Sequence, residues 1–354
     1  MTSPPSILVV QTAFLGDLLL CIPLLKNLRR YYPEAKLGIV CRHGMRKLIE
    51  NLNLVDEIYT VQKSAADSYQ EALIDINKAP YHTVFCVHES LRSHFFVSKI
   101  KANHKLSYKK WWNFLFFQQR IERPMYLPEP MRALSLLAAY NQDFQIEYQK
   151  EMNAILEEEN FLSSGKYHHH ISENFNMRVP VPPLRPFKKE YMVIAPGSVW
   201  ATKRWTVQGF ADAAKYFLDQ GMEVVLLGAK EEIAICNAVA TLCPEVKNIC
   251  GKTDLWEALR WIAGAKLLLS NDSGPMHMAA ISSTLNICVF GPTTLNLGYR
   301  PWQNQAFIVQ KDLSCRPCGK HGHQRCPIGT HECMESISAK EVVAVWENDL
   351  YANI

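Results

Sequence analysis

The chain begins with short apolar runs that alternate with stretches of helical periodicity. The runs are rich in β-branched residues, which is typical of buried strands. They lie at Ile7–Val10, Leu37–Val40 and Thr83–Val87. A helical pattern spans Asp17 to Tyr32, and Pro23 inside it predicts a bend or a later helix start. Strands separated by helices predict a parallel, doubly wound sheet.

The same alternation returns in the second half of the chain. Apolar runs predict strands at Tyr191–Ala195, Glu223–Leu227, Leu267–Leu269 and Asn286–Phe290. Helical patterns lie near Thr206–Asp219, Glu231–Leu242 and Leu255–Ile262. The pattern therefore predicts an α/β protein with two Rossmann-like domains, and a cleft between such domains is the expected ligand site.

The stretch that joins the two halves differs in composition. Residues 150–190 hold a run of glutamates, the run His168–His170 and closely spaced prolines. This proline density predicts an extended linker, in which the histidine run is solvated. We predict an N-terminal Rossmann-like domain over 1–170, a linker over 171–189, a second Rossmann-like domain over 190–338 and a C-terminal helix over 339–354.

Composition narrows the class of protein. The 354 residues are 48% hydrophobic and 20% charged, which suits two globular domains, and a net charge of +4 does not imply a dedicated nucleic-acid binder. The apolar N-terminus lacks the basic flank of a secretory signal, and no stretch is long and apolar enough to predict a membrane span. Several of the eleven cysteines lie in apolar runs, which predicts core thiols in a reducing cytosol.

The segment Gln11–Asp17 follows the first predicted strand and opens the first helix. Gly16 permits a tight turn there, which would bring Asp17 to the carboxyl edge of the sheet. A carboxylate in this position is a good helix cap and also a candidate catalytic group. The spacing alone leaves both functions open.

Two loops of the second half also follow predicted strands. Small residues at Ala195–Ser198 let backbone N–H groups approach an anion, and Lys203 would add a positive charge. The segment Phe290–Thr294 carries hydroxyl groups that could meet a phosphate or a sugar. An ordinary surface loop and a simple turn are the alternatives.

The most specific string is Ser270–Ala280, directly after a predicted strand. Asp272 or Ser273 can cap a helix there, and Pro275 fits its first turn. The N–H groups of the first helical turn suit a diphosphate. They belong to Gly274, Met276 and His277. For the His277 side chain, a purely structural role is the alternative.

Two further segments carry mixed signals. Residues 99–123 combine lysines and arginines with Trp111, Trp112 and three phenylalanines. This suits an anionic membrane surface, a phosphorylated glycolipid or single-stranded nucleic acid, and a surface helix with core aromatics is the alternative. Near the C-terminus, a CxxC pair followed by two more cysteines suits the binding of a structural metal ion. A disulfide and free thiols are the alternatives. The four cysteines are Cys315, Cys318, Cys326 and Cys333, within a Cys-rich segment over 315–333.

Four of these motifs occur in the same order in glycosyltransferase family 9, which the chain resembles over nearly its whole length. They are Gly16–Asp17, Lys203–Trp205, Asn271–His277 and Phe290–Thr293. The chain looks like the heptosyltransferase II branch, which builds the inner core of lipopolysaccharide. The resemblance implies a GT-B fold, with two Rossmann-like domains whose parallel sheets face a central cleft.

The resemblance also implies an inverting transfer of heptose from ADP-heptose to the lipopolysaccharide core, with no metal cofactor. Asp17 matches the family's general base, and Glu231 matches a carboxylate that holds the ribose, although a plain first-turn helix carboxylate is an equal alternative. Donor-binding roles are implied for Ser198, Lys203, Asp272, Ser273, Gly274, Pro275, Met276, His277 and Thr293.

The implied enzyme works in the cytoplasm, in peripheral contact with the inner membrane, and binds no nucleic acid. Two other functions stay open: a GT-B glycosyltransferase with a different nucleotide-sugar donor, and a non-catalytic nucleotide-binding or scaffold module. An RNA-binding protein with a metal knuckle is disfavoured by the small net charge.

Overall fold

The computed structural model describes residues 5–157, 166–167, 171–303 and 306–349. The chain forms two compact units, the first from Met1–Glu159 with Ile171–Met177 and the second from Asn160–His170 with Arg178–Ile354. The stretch predicted as a linker over 171–189 is thus shared between the two units. The run His168–His170 lies outside the described residues.

The first unit contains a sheet of six parallel strands in the order β3-β2-β1-β4-β5-β6. The strands are β1 (Ser6–Val10), β2 (Lys36–Arg42), β3 (Glu57–Val61), β4 (Tyr81–Cys86), β5 (Ala102–Tyr108) and β6 (Gln119–Ile121). The helices are α1 (Leu15–Leu19), α2 (Ile22–Tyr31), α3 (Arg46–Leu52), α4 (Ala66–Ile76), α5 (Leu91–Ser98), α6 (Glu129–Tyr140) and α7 (Gln142–Glu157).

The second unit contains a sheet in the order β10-β9-β8-β11-β12-β13-β7, and its described pairings are parallel except for that of β7. The strands are β7 (Lys166–Tyr167), β8 (Tyr191–Ala195), β9 (Glu223–Leu226), β10 (Lys247–Asn248), β11 (Leu267–Asn271), β12 (Leu285–Phe290) and β13 (Ala306–Gln310). The helices are α8 (Val207–Asp219), α9 (Ile233–Leu242), α10 (Leu255–Gly264), α11 (Gly274–Ser282), α12 (Glu332–Glu335) and α13 (Ala339–Asp349).

The apolar runs predicted as strands are confirmed as β1, β2, β4, β8, β9, β11 and β12. The helix predicted from Asp17 to Tyr32 is instead two helices, α1 and α2, which are separated at Leu20 and Cys21. Pro23 lies in the first turn of α2, where its missing N–H removes no intrahelical bond. The late start that Pro23 predicted is therefore confirmed.

The surface helix considered for residues 99–123 is wrong. This segment forms β5, a loop and β6, and the two strands pair in parallel at the edge of the first sheet. The β5 run from Lys105 to Tyr108 is buried on both faces. A strand that is covered on both faces shows no alternation of polar and apolar residues, so its pattern resembles that of a buried helix.

Both sheets have the doubly wound strand order of Rossmann-like folds, so the α/β fold class is confirmed. The order reverses between β1 and β4 in the first unit and between β8 and β11 in the second. In such sheets, ligands bind outside the carboxyl ends of the strands at this reversal. Among the described residues, no helix has the length and apolar character needed to cross a membrane.

Candidate active site

Asp17 lies in the first turn of α1, directly after the loop that follows β1. Its Oδ2 accepts a hydrogen bond from the Phe14 N–H at 3.1 Å, so the capping function is present in the structure. Burial raises the pKa of Asp17 above its usual value of 3.8, while the Phe14 N–H and the Arg123 guanidinium act in the opposite direction. The carboxyl group is therefore both held in position and more basic than a free carboxylate.

Arg123 belongs to a buried charge network close to Asp17. It donates to Glu89 at 2.6 Å and to Glu129 at 2.5 Å, and Arg132 also donates to Glu129, at 3.1 Å. Burial raises the pKa of Glu129, and both arginines lower it. Because Arg123 already has two carboxylate partners, its charge offsets only part of the desolvation of Asp17.

Polar residues from neighbouring strand ends surround the same loop. Thr12 Oγ1 lies 2.9 Å from His88 Nδ1, and Arg42 donates to the Thr12 carbonyl at 3.1 Å. Burial lowers the pKa of His88 to about 4, so this ring is neutral near pH 7. The Arg42 guanidinium lies 4.3 Å from the ring centroid of Phe14, which is half exposed. This edge of the first unit therefore groups a hydroxyl, a neutral imidazole and a guanidinium beside the loop that carries Asp17.

In the second unit, one buried side chain joins the loops that follow β8 and β11. Asn271 is fully buried, and its amide nitrogen donates to the carbonyls of Pro196 at 2.9 Å and Gly197 at 3.3 Å. Its oxygen accepts the Trp205 N–H at 2.9 Å. The two predicted donor loops are thereby fixed to each other at the point where the strand order reverses.

Three predicted site residues meet directly in a buried cluster. Lys203 Nζ donates to Asp272 Oδ2 at 2.6 Å, and Thr293 Oγ1 donates to the same oxygen at 2.6 Å. All three side chains are buried. Their loops follow β8, β11 and β12, so the sheet edge brings together residues that lie far apart in sequence. The Lys203 ammonium group compensates the negative charge of Asp272, and the hydrogen bond between them fixes the direction of that ammonium group.

Helix α11 begins beside this cluster, with Ser273 as its N-cap residue and Pro275 in its first turn. The N–H groups of a first turn have no partner within the helix, and they lie at the positive end of the helix dipole. The Met276 side chain is part of a core cluster, so only its backbone can contact a ligand. Burial lowers the pKa of His277 to about 4, and its buried Nδ1 has no hydrogen-bond partner among the described residues.

A carboxylate also lies against the loop after β8, but it belongs to Glu232. A side chain on Gly197 would displace the Glu232 carboxyl group, so the glycine at this position lets that carboxylate lie against the loop. Glu232 Oε2 accepts the Ala229 N–H at 2.8 Å, and burial raises the pKa of Glu232. Glu231, the residue chosen from the sequence, is exposed. Ser198 is buried, and its carbonyl accepts a bond from Arg204 at 2.9 Å.

The Cys-rich segment lies against the loop that follows β12. The Arg316 guanidinium donates to the carbonyls of Gly291 and Thr293. The Cys318 N–H donates to the Pro292 carbonyl at 2.8 Å. These three hydrogen bonds hold the backbone around Thr293 in place.

The same segment also contacts the loop that carries Lys203. Thr202 Oγ1 donates to the His323 carbonyl at 2.8 Å, and the His331 ring contacts the Thr202 carbonyl at 2.8 Å. The Cys-rich segment therefore bridges the chain neighbours of Lys203 and Thr293.

The four cysteines of this segment influence one another electrostatically. Burial raises the pKa of Cys333 to about 11, and the other three thiols act in the same direction. Backbone N–H groups, that of His331 first, lower the pKa of Cys326. Within the residues that the structure describes, no group of three or more His, Cys, Asp or Glu side chains is arranged to hold a metal ion. The structural metal stays a prediction from the sequence.

Several polar residues of the first unit's site carry no sequence motif. Arg42 ends β2, Lys63 follows β3, His88 follows β4 and Arg123 follows β6. None of them forms a recognisable motif with its neighbours in sequence, and the shared sheet edge becomes evident only once the strand order is known. For Arg42 and His88, the sequence signal is their position directly after an apolar run, since the carboxyl ends of parallel strands meet at one edge.

The model of glycosyltransferase family 9 (heptosyltransferase) matches residues 75–327, and the chain belongs to this family. The matched range includes Lys203, Asp272 and Thr293, and it begins after Asp17. Lipooligosaccharide heptosyltransferase 2 of Campylobacter jejuni is 33% identical over 192 residues, which are 52% of this chain and 59% of that relative. The match thus spans less than two thirds of the relative's length.

Solved structures share the fold at low sequence identity. The structure of Escherichia coli ADP-heptose lps heptosyltransferase II has a TM-score of 0.72 at 18% identity and covers 98% of this chain and 99% of its own. Escherichia coli heptosyltransferase WaaC with ADP-2-deoxy-2-fluoro heptose has a TM-score of 0.70 at 18% identity, with 97% and 99% covered. The predicted GT-B fold class is confirmed by these matches and by the two Rossmann-like sheets.

The buried pair of Lys203 and Asp272 gives a prediction for stability. Lys203→Met should lower the free energy of unfolding by about 3–5 kcal/mol, because Asp272 keeps a buried charge without its cation. Adding Asp272→Asn should recover part of this loss. Chemical denaturation of the three proteins measures the effect.

The exposed pair of Lys215 and Asp212, at 3.7 Å, provides the matched control. Lys215→Met should cost less than about 1 kcal/mol, since water screens an exposed pair. Equal losses for Lys203→Met and Lys215→Met would show that the buried pair contributes nothing special.

Proposed function

We propose that this protein is an inverting glycosyltransferase that moves heptose from ADP-heptose to a hydroxyl group of the lipopolysaccharide inner core. The observation that supports it most is the joint presence of a raised-pKa carboxyl group at one strand reversal and a cationic, amide-rich loop set at the other. Membership of the heptosyltransferase family and the relatives' names supply the sugar and the acceptor class.

Asp17 is the proposed general base. It takes the proton of the acceptor hydroxyl while that oxygen attacks the anomeric carbon of the donor sugar. Attack from the face opposite to the leaving diphosphate inverts the configuration at this carbon. The Phe14 N–H bond directs one carboxylate oxygen and leaves the other for the acceptor. Burial raises the pKa of the Asp17 carboxyl group and so makes it a stronger base.

The diphosphate of the leaving group is assigned to the second unit. The first-turn N–H groups of α11 and the ammonium group of Lys203 would stabilise the negative charge that develops as the sugar departs. Lys203 has three N–H donors and uses one of them for Asp272. Ser198 is a proposed hydroxyl donor to the diphosphate. The Thr293 hydroxyl gives its one proton to Asp272, so its oxygen can only accept a hydrogen bond, and we propose a hydroxyl of the donor sugar as its partner. These groups are fixed before the ligand arrives, which reduces the reorganisation that the reaction requires.

The nucleoside of the donor is the second part of the proposal. The solved WaaC structure carries an ADP-heptose analogue, which supports ADP as the nucleotide. For the ribose hydroxyls we propose Glu232, because its carboxyl group lies against the Gly197 loop whereas Glu231 is exposed. Because its proposed acceptor is a lipopolysaccharide precursor, we propose that the enzyme acts in the cytoplasm, in peripheral contact with the inner membrane.

Replacement of Asp17 tests the general-base role. Asp17→Asn keeps the side-chain shape and one hydrogen-bond acceptor but removes the base, so transfer from ADP-heptose should fall by about 10²–10⁴-fold. Binding of ADP, measured by calorimetry, should stay within about twofold of the wild-type affinity, since the base contacts the acceptor and not the nucleotide. Transfer at the wild-type rate would exclude this role, and turnover with UDP-sugars alone would indicate a GT-B enzyme with another donor.

The pH profile provides an independent prediction. A general base acts in its deprotonated form, so kcat/KM should be full above the pKa of Asp17 and fall as the pH drops through it. Burial raises this pKa above 3.8, and the Arg42 charge lowers it. Arg42→Gln should therefore move the acidic limb of the profile to higher pH. A limb that stays in place or moves to lower pH would contradict the assignment.

A further inference from the structure

Two adjoining segments of the first unit hold large apolar side chains in solvent. Helix α5 exposes Leu91 by 64% and Phe95 by 54%, and the loop between β5 and β6 exposes Trp111 by 89%, Phe114 by 57% and Leu115 by 78%. We call these five side chains the apolar surface. An exposed apolar cluster of this kind marks an interaction site in a folded protein.

The loop is held to α5 by a buried polar anchor. Asn113 is fully buried and donates to His94 Nδ1 at 3.3 Å and to the Tyr108 carbonyl at 2.8 Å. Its Oδ1 accepts the Lys110 N–H at 3.0 Å. His94 is also fully buried, and burial lowers its pKa to about 4, so the anchor is uncharged near pH 7. The loop conformation is therefore specified by the fold.

Aromatic side chains of the same loop point in two directions. The rings of Trp112 and Phe117 each pack 4.9 Å from the His94 ring, and Phe116 packs against the core of the unit. Trp111, Phe114 and Leu115 are left outside. The core alternative considered for these aromatics thus holds for three of the five, and the exposure of Trp111 and Phe114 needs another explanation.

Positive charge also lies close to the apolar surface. From Leu91 to Gln118 the chain has no aspartate or glutamate, while lysine or arginine stands at 92, 99, 101, 105, 109 and 110. The Lys99 ammonium group lies 4.4 Å from the ring centroid of Phe95. Lys99 and Lys101 are exposed, whereas Lys109 and Lys110 form ion pairs with Glu122 at 2.7 Å and Glu89 at 2.6 Å. Cations therefore lie directly beside apolar side chains that reach into solvent.

We propose that the apolar surface docks on an anionic phospholipid bilayer, with Trp111, Phe114 and Leu115 entering the interfacial layer and the lysines facing lipid phosphates. Lysine is depleted at protein–protein interfaces, whereas lysine beside Trp, Phe and Leu is typical of segments that lie on membranes. This proposal rests on the proposed function, because it names the part of the protein that would make the peripheral contact with the inner membrane.

Vesicle binding tests the proposal without any sugar donor or acceptor, so its result is independent of heptose transfer. The full chain is sedimented with vesicles of phosphatidylglycerol and phosphatidylethanolamine and, separately, with phosphatidylcholine vesicles. Wild-type protein should bind the anionic vesicles and detach at high salt, because ions screen the attraction. Trp111→Ser/Phe114→Ser/Leu115→Ser should lower the partition coefficient by about tenfold or more.

Matched controls distinguish binding through this surface from non-specific hydrophobic adsorption. Ile74→Ser/Ile146→Ser removes apolar side chains that are 59% and 72% exposed on α4 and α7, and it should leave binding unchanged. Lys99→Glu/Lys101→Glu should weaken binding to anionic vesicles by about tenfold, whereas Lys150→Glu on α7 should not. Circular dichroism confirms that each variant is folded.

The proposal is overturned if wild-type protein binds anionic vesicles no better than phosphatidylcholine vesicles, or if the triple variant binds as well as wild type. It is also overturned if the wild-type chain self-associates in sedimentation velocity without lipid and the triple variant does not, because the surface then contacts a second copy of the chain. Unchanged transfer to a water-soluble acceptor by the triple variant is expected in the supported case.

Discussion

The functional residues depend on one constraint of parallel sheets: every strand must be followed by a crossover, so the loops after the strands all lie at the same edge. Where the strand order reverses, two neighbouring crossovers leave on opposite faces, and the edge between them stays open. Asp17 and His88 follow the strands at this point in the first unit, and Lys203 and Asp272 do so in the second. Their proximity within each unit is a consequence of topology.

The carboxylates at the two reversals of strand order, Asp17 and Asp272, differ in how far their negative charge is compensated. Asp272 has a lysine and a hydroxyl group on the same oxygen, so its negative charge is compensated and serves to hold Lys203. The Asp17 carboxylate accepts a backbone N–H, and the arginine that stabilises its charge most, Arg123, is shared with two glutamates. Burial therefore raises the pKa of Asp17. A compensated carboxylate suits binding, and an under-compensated one suits proton transfer.

Much of this arrangement could be predicted from the sequence, because it depends on local patterns. The strands β1, β8 and β11 are short apolar runs, and the loops after them carry Asp17, Lys203 and Asp272. The sequence pointed to Glu231, but the carboxylate that lies against Gly197 belongs to Glu232, and only the folded structure shows which side chain turns toward that loop. Arg42 and Arg123 were missed because only tertiary packing brings them near Asp17. The roles of all these residues in catalysis stay predictions.

The measurement that tests the central claim most directly is incubation of the wild-type chain with ADP-heptose and a truncated lipopolysaccharide core acceptor, with mass spectrometry of the acceptor and quantification of ADP. The account predicts one added heptose for each ADP released, with inverted configuration at the anomeric carbon. ADP-heptose that is bound but never consumed, with the acceptor unchanged, would contradict it.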